Sequence, residues 1–254
     1  MVELEFDEFA TGVAVLTIDR PHARNAIALE TMGQLERALQ AAAGARALVI
    51  KGAGDRAFVS GGDLKELSGL RTEQDAAAMA KRMRDVCDQI AGFPAPVIAA
   101  LNGHAFGGGA EVAVAADIRV AADDIRIAFN QVQLEIMPAW GGAERLAALV
   151  GKSRALLLAG SGIALDATDA ERIGLVDVVV PRASFDTADK GWRSVANSLA
   201  RRPAAEIKRV ISGVSADEAI ASFARLWVAD AHWQAAERVM SRTANPRPAA
   251  GGAI

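Results

Sequence analysis

The sequence has little of what marks secreted, membrane or nucleic-acid-binding proteins. Its 254 residues include one cysteine, Cys87, so no disulfide can form within the chain, and we interpret this thiol as a small buried hydrophobe. No apolar run approaches the roughly 18–20 residues of a membrane span, and the acidic start MVELEFDEFATG lacks the basic and apolar regions of a signal peptide. Lys and Arg number 28 against 31 Asp and Glu, which leaves no basic excess for nucleic acid. We therefore expect a soluble cytoplasmic protein with no nucleic-acid or membrane partner.

Aromatic and metal-binding side chains are also scarce. Tyrosine is absent, aromatic residues make up 5% of the chain, and there are three histidines. No His, Cys or Asp spacing is typical of a metal site, so no metal is expected. Apolar residues account for 52%, and a chain of this length buries roughly three quarters of its unfolded surface. The core must therefore be large and built mostly from small and aliphatic side chains.

Strand and helix patterns alternate along the first part of the chain. Apolar, β-branched runs predict strands at residues 2–9, 12–19, 47–51, 97–101, 118–121 and 175–180. Apolar spacings of three and four predict helices at residues 28–43, 72–91, 110–116, 143–149, 153–159, 166–173, 186–200, 204–213 and 217–240, and residues 52–63 are predicted as a loop. This alternation predicts an α/β core at residues 1–190. Residues 191–254 are predicted to be helical, with a mobile tail at their end.

The most informative stretch is LNGHAFGGGAEVAVAAD, residues 101–117. It predicts a strand, a glycine turn and a helix that is apolar on every side and must therefore be buried. Glu111 lies in the first turn of this helix, and a buried carboxylate is costly unless it is compensated. Glu111 is either a helix-capping residue favoured by the helix dipole or a catalytic acid or base with a shifted pKa.

Two glycine-rich loops have the same character. Gly108 belongs to the run before Glu111, and Gly62 lies in FVSGGDL, where Asp63 is placed to cap the next helix. Glycines at a helix start let a ligand oxygen approach the backbone N–H groups, as a phosphate or an oxyanion would. If the loops converge, they supply the two N–H donors that an enolate needs. Each loop by itself is also compatible with an ordinary turn.

Four segments in this order resemble one family. NGHAFGGGAEVAVAADIRVA is similar to the signature of the crotonase (enoyl-CoA hydratase/isomerase) superfamily, RAFVSGGDLKEL to its first oxyanion segment, RPHARNAI to its CoA-binding turn, and IMPAWGGAERL to its Pro-x-x-Gly-Gly turn. The resemblance covers roughly residues 5–240. It implies the ClpP/crotonase fold, a spiral of ββα units with a C-terminal helical trimerisation region. It also implies a homotrimer or homohexamer.

The resemblance further implies an acyl-CoA thioester substrate. Coenzyme A would enter as part of that substrate, with no covalently bound cofactor. The thioester oxygen would lie between the N–H groups of Gly62 and Gly108. The CoA moiety would contact a set of residues in two loops, namely Arg24, Ala26, Ser60, Gly62, Asp63 and Leu64. His104 would belong to the fold rather than to the reaction. Trp140, in the Pro-x-x-Gly-Gly turn, either lines the acyl pocket or is a packing residue of the core.

The carboxylates depart from the family pattern. Glu111 matches the first catalytic glutamate, but Gln131 stands where the second is expected, seven residues before Pro138. Glu135 is the nearest carboxylate, and we interpret it as structural or surface. Because a glutamine can hold water but cannot exchange a proton, the departure affects the reaction. The second catalytic group is therefore either Gln131 or Glu135, with Gln131 favoured.

Three functions remain open at this level. The first is an enoyl-CoA hydratase or isomerase that uses Glu111 as the acid/base. The second is a decarboxylase of an ethylmalonyl- or methylmalonyl-type CoA thioester, a branch that the AWGG turn resembles and whose reaction needs one proton donor. The third is a pseudoenzyme that binds CoA thioesters with little turnover.

Overall fold

The chain forms ten strands and eleven α-helices in the part that the computed structural model describes, residues 1–7, 11–201 and 203–244, with side chains up to 241. The strands are β1 Val2–Phe6, β2 Val13–Ile18, β3 Ala47–Gly52, β4 Ala57–Val59, β5 Val97–Leu101, β6 His104–Phe106, β7 Ile118–Ala122, β8 Arg126–Ala128, β9 Leu165–Asp166 and β10 Val178–Val180. The helices are α1 Leu29–Ala41, α2 Leu64–Leu67, α3 Glu73–Ala91, α4 Gly108–Ala115, α5 Gly142–Val150, α6 Lys152–Ser161, α7 Ala167–Arg172, α8 Gly191–Ala200, α9 Ala204–Ile211, α10 Ala216–Trp227 and α11 Asp230–Ala244. Three short 3-10 helices cover Pro21–Ala23, Asn130–Leu134 and Arg182–Ser184.

The strands form two sheets. The larger has the order β1-β2-β3-β5-β7-β10, in which β1 pairs antiparallel with β2 and the others are parallel. The smaller has the order β4-β6-β8-β9, in which only the pair of β8 and β9 is antiparallel. The pairs β3/β4, β5/β6 and β7/β8 each place one strand in either sheet. This repetition confirms the predicted fold of ββα units.

The smaller sheet is absent from the sequence-based prediction. Residues 52–63 were expected to be a loop, yet Ala57–Val59 is the buried strand β4. Its partners β6 and β8 have three residues each and β9 has two. Strands this short show no period-two pattern, so only their pairing identifies them.

Two helix predictions are wrong in their bounds. The helix expected at 186–200 begins at Gly191, whose φ of +64° is left-handed and interrupts a helical path. The helix expected at 217–240 is two helices, α10 and α11. At the break, the N–H of Ala229 bonds to the carbonyl of Leu226 and that of His232 to Ala229, which replaces the i−4 pattern. The predicted end of the first strand at residues 8–9 and the tail from 245 lie outside the described residues.

The described part of the chain divides into two compact units, with the boundary between Ala205 and Glu206. Helix α8 packs on β2, β3 and β5 and lies in the first unit. The division into a core and an oligomerisation region at residue 191 stays a prediction. That the later helices mediate assembly stays a prediction. In the first unit, the core is a continuous apolar cluster of both sheets with α1, α3 and α4. Cys87 lies in this cluster, and burial raises the pKa of its thiol to about 12, as expected of an inert small hydrophobe.

Candidate active site

A glycine turn aims helix α4 into the core. Gly107 connects β6 to α4 with a φ of +54°, which favours glycine, and every residue of α4 is buried as predicted. Gly109 packs against β4 so closely that a Cβ there would lie 1.8 Å from the carbonyl oxygen of Val59. This packing requires glycine and holds the start of α4 against the loop that follows β4.

The two glycine loops lie side by side. Gly61 has a φ of +108°, and a Cβ there would lie 3.3 Å from the Phe106 carbonyl oxygen and 3.5 Å from the Gly108 nitrogen. Gly108 is the first residue of α4, so its N–H has no carbonyl one turn earlier in the helix to bond to. Asp63 accepts a hydrogen bond from the Glu66 N–H and caps α2, as predicted.

Glu111 is a buried carboxylate surrounded by N–H donors. Only 2% of the surface of Glu111 is exposed to solvent. Gln131 Nε2 donates to Glu111 Oε1 at 2.8 Å, and the backbone N–H groups of Trp140 and Gly142 donate to Oε2 at 2.7 and 2.9 Å. Burial raises the pKa of Glu111 above its ordinary value, and these three donors oppose the shift in part. Glu111 can therefore hold or release a proton nearer to neutral pH than a surface glutamate.

All ten predicted site residues line one cavity of about 930 Å³. They are Arg24, Ala26, Ser60, Gly62, Asp63, Leu64, Gly108, Glu111, Gln131 and Trp140. The structure brings them together, but the roles assigned to them stay predictions. Of the side chains lining this cavity, those of Glu111 and Asp63 carry carboxylates, and Asp63 pairs with Arg20 at 2.9 Å. Although burial would raise the pKa of Asp63, the hydrogen bond from Arg20 and the α2 backbone lower it.

Gln131 and Glu135 have different surroundings. Gln131 is buried beside Glu111, and its Oε1 accepts no hydrogen bond from the described residues. Glu135 ends the 3-10 helix Asn130–Leu134 with a φ of +57°, is exposed, and does not line the cavity. Of these two residues, Gln131 is the one next to the buried carboxylate.

His104 lies outside the cavity lining. Its Nδ1 accepts a hydrogen bond from the Arg126 N–H at 3.0 Å, and its ring stacks on Phe106. The described residues contain no group of three His, Cys, Asp or Glu side chains arranged to hold a metal ion. No helix in the described part of the chain is both long and apolar enough to cross a bilayer.

Sequence reasoning missed Asn25, the residue that fixes the loop of Arg24 and Ala26. Asn25 is buried in a left-handed conformation, and its Nδ2 donates to the carbonyls of Ala53 and Ala57 at 3.0 and 2.8 Å. Its Oδ1 accepts from the Arg20 N–H at 3.0 Å. Asparagine tolerates a positive φ better than most residues, which was the one available signal. This anchor holds Arg24 and Ala26 at the cavity.

The apolar wall of the cavity was also missed. It comes from α2, α3 and the segment after the 3-10 helix Asn130–Leu134, through Leu67, Leu70, Met79, Leu134, Ile136 and Met137. These residues are far apart in sequence and lie on separate elements. No local pattern could have assigned them to one wall.

Comparison with known proteins supports the same class of protein. Residues 8–234 match the family described as Enoyl-CoA hydratase/isomerase. A probable enoyl-CoA hydratase of Bacillus subtilis is 38% identical over 180 residues, 70% of this chain and 68% of that protein. A probable enoyl-CoA hydratase of Rhodobacter capsulatus is 37% identical over 206 residues, 80% of this chain and 77% of that protein. The crystal structure of an enoyl-CoA hydratase from Bacillus anthracis matches with a TM-score of 0.81 at 26% identity, over 97% of this chain and 96% of that one.

Fold, cavity and these matches together define an enzyme of the crotonase superfamily. More narrowly, the chain belongs to the enoyl-CoA hydratase/isomerase family. The predicted family and the predicted class of enzyme are therefore confirmed.

Proposed function

We propose that the chain hydrates or isomerises an enoyl-CoA through a thioester enolate. The thioester oxygen is bound by the N–H groups of Gly62 and Gly108. Support comes from the side-by-side glycine loops, one of which starts a helix whose dipole favours negative charge. Preorganised N–H donors of this kind stabilise charge that develops in the transition state, typically by about 3–4 kcal/mol per donor.

Glu111 is the acid/base in this proposal, and its position is the observation that carries the proposal. A carboxylate that is 2% exposed, with a raised pKa and three N–H donors, is costly to keep in a core. It lies three residues after Gly108 on α4, so it is on the same side of the helix as the glycine turn. Proton transfer by such a group typically contributes 10²–10⁴-fold to the rate.

The CoA moiety follows the loops at residues 22–26 and 60–64. Arg24 is exposed at the cavity in a loop that Asn25 anchors, and Ser60 Oγ donates to the carbonyl of Ala23 at 3.4 Å, which ties the two loops together. The proposed contacts of the CoA moiety are Arg24, Ala26, Ser60, Asp63 and Leu64. Coenzyme A is a part of the substrate here, and the proposed reaction uses no covalent cofactor and no metal.

The test compares Glu111→Gln with Glu144→Gln. Glu144 is an exposed glutamate on α5 that pairs with Arg84 at 2.8 Å and does not line the cavity. We expect Glu111→Gln to lower crotonyl-CoA hydration or 3-hexenoyl-CoA isomerisation by about two to four decades, while butyryl-CoA still binds. Glu144→Gln should keep wild-type kinetics. Unchanged turnover in Glu111→Gln would remove this residue from the reaction.

A malonyl-type decarboxylase is the second candidate. The observation that favours it is the neutral amide of Gln131 beside Glu111, because decarboxylation needs one proton donor and no second anion. Ethylmalonyl-CoA, assayed beside crotonyl-CoA, separates the two reactions. Tight butyryl-CoA binding without turnover of either substrate would instead identify a pseudoenzyme.

A further inference from the structure

We propose that the indole of Trp140 closes the acyl end of the cavity and restricts the enzyme to short-chain acyl thioesters. This inference rests on the proposed function, because it takes the thioester oxygen to lie at Gly62 and Gly108. It adds a substrate class and the residue that determines it.

The indole packs directly on Gly108 and its edge lies near Gly62. A Cβ on Gly108 would lie 2.0, 2.4 and 2.7 Å from Cζ3, Cη2 and Cε3 of Trp140, and a Cβ on Gly62 would lie 3.9 Å from Cζ2. Trp140 lines the cavity yet is only 6% exposed, so its ring is packed on nearly all sides. The benzene edge of the indole therefore forms the wall next to the proposed oxyanion donors.

The backbone on both sides of Trp140 is held in place. Its N–H donates to Glu111 Oε2 at 2.7 Å, and its carbonyl accepts from Arg145 Nη1 at 3.2 Å. Gly141 follows with a φ of +86°, and a Cβ on Gly142 would lie 2.3 Å from Glu111 Cγ. The turn is thus fixed on both sides of the tryptophan.

These contacts determine how far an acyl chain can extend. With its oxygen at the two N–H groups, the thioester places its reacting carbons between Gly108 and Glu111. Carbons beyond them meet the indole, and displacing a ring from a close-packed interior is costly. A crotonyl group ends before that point, whereas an octenoyl group does not.

The test measures kcat/KM as a function of acyl chain length in wild type, Trp140→Ala, Trp140→Leu and Trp140→Phe. The substrates are crotonyl-, hexenoyl-, octenoyl- and decenoyl-CoA, and calorimetric binding of the saturated analogues reports the same limit independently of the reaction. Each methylene that becomes buried against an apolar surface should strengthen binding, and so raise kcat/KM, by about fourfold. We expect Trp140→Ala to raise the octenoyl-to-crotonyl ratio of kcat/KM by about tenfold or more, chiefly through KM, with Trp140→Phe in between.

If Trp140 had a purely structural role, its substitution would lower kcat/KM for every substrate alike and leave the octenoyl-to-crotonyl ratio unchanged. The backbone N–H that donates to Glu111 remains in all variants, so a change in this ratio reports the indole ring rather than the loss of that hydrogen bond. Phe6→Ala, which removes an exposed aromatic ring on β1 outside the cavity, is the control and should keep the wild-type profile. If Trp140→Ala does not fold, the Leu and Phe variants supply the series.

Two results would overturn the length limit: wild type that accepts decenoyl-CoA as well as crotonyl-CoA, or a ratio unchanged in every folded variant. Either leaves the proposed function intact. Failure of wild type to bind or convert any of these thioesters would instead contradict the proposed function itself.

Discussion

At the scale of the residue, Gln131 determines how many groups of the site can exchange protons. Its amide lies 2.8 Å from Glu111, where a second carboxylate could share the two protons of water. We expect Gln131→Glu to raise crotonyl-CoA hydration by about tenfold or more, because it restores a second acid/base. For ethylmalonyl-CoA we expect Gln131→Glu to be unfavourable, because a second anion near the departing carboxylate should raise the KM of this substrate.

Both reactions are to be measured in wild type and Gln131→Glu side by side. Gln34→Glu is the matched control, since the Gln34 amide also donates to a glutamate, Glu30 at 3.0 Å, but on α1 outside the cavity. Fast wild-type hydration with no gain in Gln131→Glu would show that the amide suffices for water addition.

Glu111 also makes stability depend on pH. Its pKa is raised in the folded protein, so its contribution to stability is fully present below the unfolded value and is lost as pH rises through the folded one. In Glu111→Gln the new amide can accept from Trp140 and Gly142 and donate to Gln131 Oε1, which has no partner in the described structure, once the Gln131 amide rotates.

We therefore expect the Tm of Glu111→Gln minus the Tm of wild type to become more positive as the pH rises from about 4.5 to about 7.5. Each kcal/mol of difference in the free energy of unfolding corresponds to about 2–4 °C in Tm. Thermal unfolding across this range checks the sign. A variant that melts far below wild type at pH 7.5 would favour a structural role for this carboxylate.

At the scale of the element, the packing of α4 on β4 has no tolerance for a side chain. Gly109→Ala would put a Cβ 1.8 Å from the Val59 carbonyl oxygen, so the helix must shift. We expect a loss of about 1–3 kcal/mol in the free energy of unfolding, with reduced turnover because the glycine loops separate. Gly44→Ala, where a Cβ meets nothing within 4 Å, should stay within about 0.5 kcal/mol of wild type. Equal stability of both variants in urea would contradict the close contact.

At the scale of the whole molecule, we expect a homotrimer or homohexamer. The second compact unit carries exposed apolar side chains on α10, α11 and the break between them, including Trp227 at 47%, Val228 at 74% and Trp233 at 47%. Within this unit the Trp227 ring contacts Phe223, His232 and Trp233, which forms an aromatic cluster of a kind typical of interfaces.

Light scattering of wild type, Val228→Glu and Phe6→Glu tests this assembly. We expect Val228→Glu to shift the population toward smaller species, because a charge at an apolar interface is costly, while Phe6→Glu on β1 keeps the wild-type mass. A stable, active wild-type monomer would contradict the prediction.

The sequence by itself determined the family, the buried helix of Glu111, the cap at Asp63 and ten of the residues that line the cavity. These features are either local, such as a glycine turn before an apolar helix, or belong to long continuous motifs. The same holds for β2, β3 and β5 of the larger sheet, which are long enough to show an apolar run.

Only the tertiary structure decided what depends on contacts between distant segments. The smaller sheet consists of strands of two or three residues, too short for any periodicity, and the anchor at Asn25 bonds to carbonyls 28 and 32 residues away. Likewise, the sequence places Trp140 in a turn but does not show that its ring packs on Gly108, since that contact forms only when α5 meets α4. Local propensity and spacing carry information about neighbours along the chain, whereas packing brings together residues whose separation in sequence leaves no pattern to detect.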